Sequence, residues 1–162
     1  MTTWPDQRGS EVLSRTECHR LLGQTTGVGH LGLVVDGKPV VVPLNFVLLG
    51  DDILLRLGPG TTLDTLLNEP IVAFEVDEVD QADPEAPEAW SVLIQGSAHV
   101  VRDPLDLERA VASGLTPLVA EPGEAYVVVR KAVVSGRRFS VSGLGRFSLR
   151  PPATKASTND VL

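Results

Sequence analysis

The stretch "RLGPGTTLD" (56–64) joins a strand-like run to a short helical pattern and is the clearest candidate for binding chemistry. Thr61 and Asp64 have the spacing of a capping box, so we expect Thr61 to cap the helix. The first backbone N–H groups of a helix carry partial positive charge and favour an anion. The two glycines let a ligand approach the backbone closely, and Arg56 can supply a forked, charged donor. Two interpretations stay open: a site for an anion such as phosphate, or an ordinary capped helix after a glycine hinge.

Signatures of hydrolytic and metal-dependent catalysis are weak. The sequence has no G-x-S-x-G nucleophile motif and no P-loop pattern. Its three histidines, His19, His30 and His99, are far apart, so metal ligands would have to converge from distant segments. We therefore predict no metal site. The acidic run over 75–83 is interpreted as a solvated face, and a carboxylate pair for acid–base catalysis is the alternative.

Size and charge narrow the class of protein. A chain of 162 residues with 43% hydrophobic and 22% charged residues is typical of one globular domain. A net charge of -7 argues against nucleic acid or an anionic membrane as the main partner, but permits a small phosphorylated ligand. The single cysteine excludes an internal disulfide. Without a signal core or a bilayer-length apolar run, we expect a soluble, cytoplasmic protein.

Periodicity and turn signals predict the elements that position the glycine turn. A helix begins at Ser14, which forms a capping box with Glu17, and Gly23 ends it. Strands are predicted over 28–35, 38–49, 53–57, 71–80, 90–101, 125–136 and 137–143, and further helices over 61–68 and 103–113. Closely spaced strands with hairpin links indicate a mainly β fold, a small closed barrel of six or seven antiparallel strands with short flanking helices.

Local signals refine this outline. Pro39 and Pro43 indicate a sheet edge, a bulge or a strand end, and Gly96 indicates a bulge or a close backbone approach. Residues 1–12 are predicted to form a loose arm and 81–89 an acidic, proline-rich loop. We expect one domain over 1–147 and a flexible tail over 148–162.

The order of these motifs resembles the pyridoxamine 5'-phosphate oxidase-like flavin-binding proteins, in particular the small members grouped with nitroimidazole-resistance proteins. The motifs that carry the resemblance cover roughly 12–140 and read "VGHLGLVVDGKPVVVPLNF", "ILLRL", "GPGTTL", "VAFEVDEVD", "WSVLIQGSAHVV" and "VVSGRR". The resemblance implies a split β-barrel homodimer that binds FMN in a cleft between its subunits. It also implies a small oxidoreductase, with the substrate left open.

Transferred position by position, the resemblance implies a set of cofactor-binding residues. The segment along the flavin ring and ribityl chain would be Val42, Pro43, Leu44, Asn45 and Phe46. The phosphate would meet Arg56, Gly60, Thr61, Thr62 and Leu63. Trp90 and Ser91 would reach the flavin from the partner subunit, and Arg137 would lie near the ring or the substrate. The alternatives are that 42–46 is an interior strand with Asn45 hydrogen-bonded locally, and that Trp90 packs in the core or a dimer interface.

One departure from the resembled pattern concerns the phosphate. Many relatives carry Lys or Arg where this chain has Thr62, and a charge-assisted hydrogen bond is about twice as strong as a neutral one. FMN would then bind weakly, or a deazaflavin or heme would replace it. A non-catalytic cofactor-binding or merely dimeric module is a further alternative. The substrate-gripping basic residues of true pyridoxamine phosphate oxidases are not recognisable, so that reaction is not predicted.

Overall fold

The computed structural model describes residues 10–25, 27–80, 88–117 and 124–140. Within these ranges the protein is mainly β, with seven antiparallel strands and three short helices, as the sequence predicts. The elements in chain order are β1 (Ser10–Val12), α1 (Arg15–Gln24), β2 (Val28–Val35), β3 (Lys38–Leu49), β4 (Asp52–Leu57), α2 (Thr61–Asn68), β5 (Ile71–Asp80), β6 (Glu88–Val100), α3 (Pro104–Ala112) and β7 (Ala125–Ser140).

The strands close into a barrel through β7. Their order is β1-β7-β4-β3-β2-β5-β6, and β6 also pairs with β7, so the sheet returns on itself. The first part of β7 pairs with β4 on one side and β6 on the other, while its last part pairs with β6 and β1. Closure satisfies the backbone groups that an open sheet would leave at its edges.

The prediction of two separate strands over 125–136 and 137–143 was wrong, because β7 runs unbroken from 125 to 140. The glycine at the expected break serves packing instead of a turn. A Cβ atom at Gly136 would lie 2.5 Å from Sγ of Cys18, so only glycine lets α1 pack this closely on the strand.

Alternation along the strands builds the core. On β5, Val72, Phe74 and Val76 are buried, whereas Glu75 and Asp77 lie on the other face, as predicted. The ring of Phe74 meets that of Phe46 from β3 edge to face, with 5.3 Å between centroids. The barrel interior is thus filled by side chains from facing strands.

The proline and bulge signals are confirmed. Residues 38–45 of β3 pair with β2, whereas the β4 partners of β3 are confined to residues 46–49. Pro39 and Pro43 therefore occupy the part of β3 that has one pairing neighbour among the described strands, where a missing N–H is tolerated. The register between β6 and β7 shifts at Gln95/Gly96, and a Cβ atom at Gly96 would lie 2.0 Å from the carbonyl oxygen of Arg130.

The helix starts agree with the sequence in two cases of three. The hydroxyl of Ser14 accepts a hydrogen bond from the backbone N–H of Glu17, and Asp103 caps α3. The first helix extends to Gln24, one residue past the predicted stop. The prediction that Thr61 caps α2 was wrong: the N-cap is Gly60, and Thr61 is the first helical residue.

A second glycine pattern is structural. Gly27, Gly29 and Gly32 have the G-x-G-x-x-G spacing of dinucleotide-binding turns, which lie between a strand and a helix. Here Gly29 and Gly32 lie within β2, and a Cβ atom at Gly29 would come 2.2 Å from the ring of Phe74. Close packing of that ring, and not a phosphate, explains this glycine.

The predicted arm over 1–12 and loop over 81–89 were wrong at one end each, because residues 10–12 form β1 by pairing with β7 and residues 88–89 begin β6. The rest of these predictions falls outside the described residues, as do the strand end at 141–143 and the tail over 148–162, and with it the domain boundary. No helix in the described part of the chain is long and apolar enough to cross a membrane.

Candidate functional site

A cavity of about 370 Å³ opens where β3, the end of β4 and the start of α2 meet. We call it the α2 cavity. Its volume falls in the range of small-molecule sites, about 300–1,000 Å³. Its lining consists of Val42, Pro43, Leu44, Arg56, Leu57, Gly58, Pro59, Gly60, Thr61, Thr62 and Pro117. The structure thus brings together much of the set predicted for the ribityl chain and the phosphate, although these residues come from three separate elements.

The start of α2 lines this cavity, and its first backbone N–H groups have no partner inside the helix. Gly60 has φ 144° and ψ -174°, a conformation that residues with a side chain rarely adopt, and no side chain caps the helix. The first intrahelical bond runs from the N–H of Asp64 to the carbonyl of Gly60, at 2.9 Å. The N–H groups of Thr61, Thr62 and Leu63 precede that bond and have no partner within the helix. The glycine N-cap, which replaces the predicted threonine cap, therefore leaves this helix end suited to an anion.

Contacts with neighbouring residues fix the position of the Arg56 guanidinium. Its Nε lies 2.7 Å from Oε2 of Glu124, as an ion pair without hydrogen-bond alignment, and its Nη1 donates to the carbonyl of Leu115 at 3.3 Å. The guanidinium also lies over the ring of Tyr126, its cross-strand neighbour on β7, with 5.3 Å to the ring centroid. The arginine is preorganised at the cavity wall, but a carboxylate whose side chain is 7% exposed already balances much of its charge.

Sequence reasoning missed Glu124, Tyr126 and Pro117. Glu124 and Tyr126 reach Arg56 because the start of β7 pairs with the end of β4, about 70 positions earlier in the chain, and Pro117 lines the cavity from the segment that follows α3. Register between strands so distant in sequence leaves no local signal. The position of Tyr126, the chain's single tyrosine, directly before the apolar run "VVV" gave no indication that it would face Arg56.

The last two residues of the segment 42–46 line a different cavity. Asn45 and Phe46 line a neighbouring cavity of about 480 Å³ together with Leu115 and Thr116. The amide of Asn45 donates to the carbonyl of Thr116 at 3.1 Å, so the expected local hydrogen bond is in fact a contact between distant segments. The side chain of Phe46 belongs to the core. Leu44 is also largely buried, and Leu63 packs against the same core from α2.

The residues predicted to act from a partner subunit lie away from the α2 cavity. Trp90 is 7% exposed and packs in the core of its own barrel, in keeping with the core alternative. Ser91 on β6 lies directly opposite Arg137 on β7, and Nη1 of Arg137 donates to the hydroxyl of Ser10 at 3.0 Å. A role of these three residues at a partner's cofactor stays a prediction.

At the start of α1, side chains of the protein itself make the contacts. The carboxylate of Glu17 accepts hydrogen bonds from Arg20, at 2.6 and 2.8 Å, and from Nη2 of Arg138 on β7, at 2.8 Å. The hydrogen bonds from Arg20 and then Arg138 lower the pKa of Glu17 to about 2. We call this the α1 corner. Unlike Arg56, Arg138 is fully engaged in holding a helix to the barrel.

Comparison with known proteins identifies the family. The family described as pyridoxamine 5'-phosphate oxidase matches residues 14–138. A candidate pyridoxamine 5'-phosphate oxidase from Corynebacterium glutamicum has 25% identity and a TM-score of 0.71, with 82% of this chain and 99% of that chain covered. The FAD binding protein from Mycobacterium smegmatis has 34% identity and a TM-score of 0.67, with 80% and 99% covered. An FAD-binding protein from Mesorhizobium loti has 26% identity and a TM-score of 0.66, with 81% and 99% covered.

A comparison with curated proteins found no match. The family match spans all the elements from the cap of α1 to the last part of β7, including every strand that forms the closed barrel. The similar solved structures share that fold over nearly their whole length. The chain belongs to the pyridoxamine 5'-phosphate oxidase family.

Proposed function

We propose that the protein binds a flavin nucleotide, FMN, with the phosphate at the start of α2, and acts as a small oxidoreductase. The observation that carries the proposal is the α2 cavity, where a glycine turn, three helix N–H groups without a partner inside the helix and Arg56 line one space. Two similar proteins, at 34% and 26% identity, are described as FAD-binding, which supports a flavin as the cofactor class. The flavin would supply the hydride chemistry when bound.

The residues present fit the phosphate end of such a cofactor. The N–H groups of Thr61 and Thr62 would donate to phosphate oxygens, and Thr62 adds a hydroxyl. The guanidinium of Arg56 would add a charge-assisted bond. In the same cavity, Val42 and Leu44 on β3 offer apolar surface that suits the edge of the flavin ring.

The charge at this site predicts modest affinity. Arg56 is the cation among the lining residues, and Glu124 already partners it. Thr62 brings no charge where many relatives have Lys or Arg. FMN is therefore expected to bind more weakly than in relatives with a cation at this position, and FAD, a deazaflavin and heme are the alternatives that the binding experiment must compare.

We further propose that the protein is a homodimer. One outward-facing cross-strand row runs over five strands through Val41, Gly32, Ala73, Gln95 and Val133. Val41 is 65% exposed and Val133 54% exposed, and this largely apolar row suits contact with a second copy. The substitution Val41→Lys should shift the mass measured by light scattering from dimer to monomer. Val111→Lys, on an exposed position of α3 away from the row, is the matched control and should leave the dimer intact.

The experiment that tests the function is the visible absorption spectrum of the purified protein before and after FMN is added and excess is removed. A flavin band that stays with the protein supports the proposal. A flat spectrum with FMN, FAD, deazaflavin and heme in turn would overturn it. Reduction of the bound flavin by NADH, NADPH or a reduced deazaflavin then separates an oxidoreductase from a binding module that does not turn over.

A further inference from the structure

A histidine and two carboxylates meet on the outer face of the barrel, away from the α2 cavity. Nδ1 of His30 lies 3.4 Å from Oε2 of Glu75 and 4.0 Å from Oδ1 of Asp77. One ligand atom from each of the three residues lies within 4.8 Å of the other two. The three histidines are far apart in the sequence, and the 45 positions between His30 and Glu75 explain why this group was not predicted.

Strand register builds the cluster. His30 on β2 is the direct antiparallel partner of Glu75 on β5, so their side chains leave the sheet on the same face. Asp77 follows Glu75 by two positions and shares that face. A metal ion bound by these three ligand atoms would lie just outside the sheet, with its opposite side open to water. Two hydrogen-bonded strands carry the group, so it is preorganised to the extent that the sheet is rigid.

The electrostatics of the group lack a compensating cation. Within the described ranges neither carboxylate pairs with a lysine or arginine, and His30 is their one basic neighbour. The two carboxylates repel each other at this distance, and a divalent cation bound by both would relieve that repulsion.

The two distances from His30 are close to those that a small divalent ion needs between its ligands. Ligand atoms about 2.0–2.2 Å from a tetrahedral zinc ion lie about 3.3–3.6 Å from one another. The His30–Glu75 separation of 3.4 Å already falls in this range. The 4.0 Å to Asp77 needs a closure of about half an ångström, and the side chain of Asp77 is 57% exposed and can move that far by rotation.

We propose that His30, Glu75 and Asp77 form a site for a divalent transition-metal ion, with Zn²⁺ the preferred occupant and water completing its coordination. One imidazole nitrogen with two carboxylate oxygens suits Zn²⁺ better than Mg²⁺ or Ca²⁺, which favour oxygen ligands alone. Mn²⁺ should bind more weakly, in line with the general order of affinities for these ions. The site is independent of flavin binding, because none of its residues lines the α2 cavity.

The test is calorimetric titration of the full-length, EDTA-treated protein with Zn²⁺, followed by Mn²⁺ and Mg²⁺. We expect about one Zn²⁺ per chain with micromolar affinity, weaker Mn²⁺ binding and no measurable Mg²⁺ binding. His30→Asn, Glu75→Gln and Asp77→Asn should each lower the Zn²⁺ affinity by about tenfold or more, which equals about 1.4 kcal/mol. Replacing Zn²⁺ by Co²⁺ should give visible absorption bands in the wild type that disappear in His30→Asn.

His19→Asn is the matched control. Nε2 of His19 lies 3.2 Å from Asp51, so this variant removes a histidine that has one carboxylate partner instead of two. It should leave the Zn²⁺ affinity within about twofold of the wild type. Far-UV circular dichroism verifies that each variant is folded. Absence of Zn²⁺ binding by the wild type, or binding that survives His30→Asn and is lost in His19→Asn, would overturn the proposal.

Discussion

The starts of α1 and α2 carry the same type of capping signal in the sequence, but the structure uses them in opposite ways. Ser14 and Glu17 complete a cap, and the carboxylate of Glu17 then binds Arg20 and Arg138. At α2 the glycine before Thr61 becomes the N-cap, and the helix N–H groups face a cavity without a side-chain acceptor. One helix start has a side-chain acceptor for its backbone N–H groups, and the other has none within the described residues.

The arginines near the two helix starts repeat this difference. Arg138 has glutamates on several sides, with Glu17 at 2.8 Å and Glu11 at 3.4 Å. Arg56 contacts the carboxylate of Glu124 and the carbonyl of Leu115, and it also lines the α2 cavity. The number of hydrogen bonds and ion pairs made within the protein distinguishes the α1 corner from the proposed phosphate site, although both combine a helix start with an arginine.

The largest effect is expected from Gly60→Ala. The φ of 144° at this position is open to glycine but strained for alanine, so the free energy of unfolding should fall by about 1–3 kcal/mol. FMN binding should weaken too, because relaxing the strain would turn the first N–H groups of α2. Urea denaturation and FMN titration measure the two effects. Gly58→Ala in the same turn is the control, since Gly58 is not among the positive-φ glycines, and equal stability of Gly60→Ala and wild type would show that the turn is not strained.

Next in size is the effect of Arg56→Gln on FMN affinity. Loss of a hydrogen bond to a charged group costs about 1.5–3 kcal/mol, so the dissociation constant should rise about 10- to 100-fold. Riboflavin, which lacks the phosphate, should bind both proteins equally. Arg138→Gln is the matched control from the α1 corner and should leave FMN affinity unchanged. An equal loss in both variants would mean that the arginine acts through overall stability.

Substitutions at the two predicted capping residues compare the starts of α1 and α2 directly. Ser14→Ala should lower the free energy of unfolding by about 1 kcal/mol, because the N–H of Glu17 loses its acceptor. Thr61→Ala should change it by no more than about 0.5 kcal/mol, because Thr61 is exposed and is not the N-cap. Urea denaturation of both variants decides the point. A larger loss for Thr61→Ala than for Ser14→Ala would restore the threonine cap that the sequence suggests.

The smallest effect concerns pH and the α1 corner. The pKa of Glu17 falls from 4.5 to about 2 on folding, so the folded state binds this proton less readily than the unfolded state. Its stabilising contribution is therefore complete above pH 4.5 and is lost as the pH falls through about 2. Stability measured over this window should decline less steeply in Glu17→Gln. The same slope in variant and wild type would contradict the assignment.

These cases show which features of the fold could be predicted from the sequence and which could not. Strand positions and faces were predictable because alternation on segments such as 71–80 is a local property. The cap of α2 was misassigned because Thr-x-x-Asp matches the capping pattern, whereas the backbone angles that Gly60 permits decide the N-cap. The unbroken β7 was missed because a glycine that admits the sulfur of Cys18 looks, in sequence, like a turn.

The residues of the candidate site also fall into those that could be predicted from the sequence and those that could not. The segments at 42–44 and 58–62 came from the family resemblance and local turn chemistry, and they do meet in one cavity. Glu124 behind Arg56, Thr116 beside Asn45 and the pairing of His30 with Glu75 depend on contacts between distant positions. Such contacts are set by the register of the closed barrel, which no single segment of the sequence specifies.

The most direct test of the account compares the affinities of FMN and riboflavin for the wild-type protein. The two ligands share the ring and the ribityl chain and differ in the phosphate, so the ratio of their dissociation constants isolates the contribution of the start of α2 and Arg56. If the phosphate binds there, FMN should bind at least about tenfold more tightly than riboflavin, as one charge-assisted contact of about 1.4 kcal/mol requires. Equal affinities, or no binding of either ligand, would contradict the claim that the open helix start is a phosphate site.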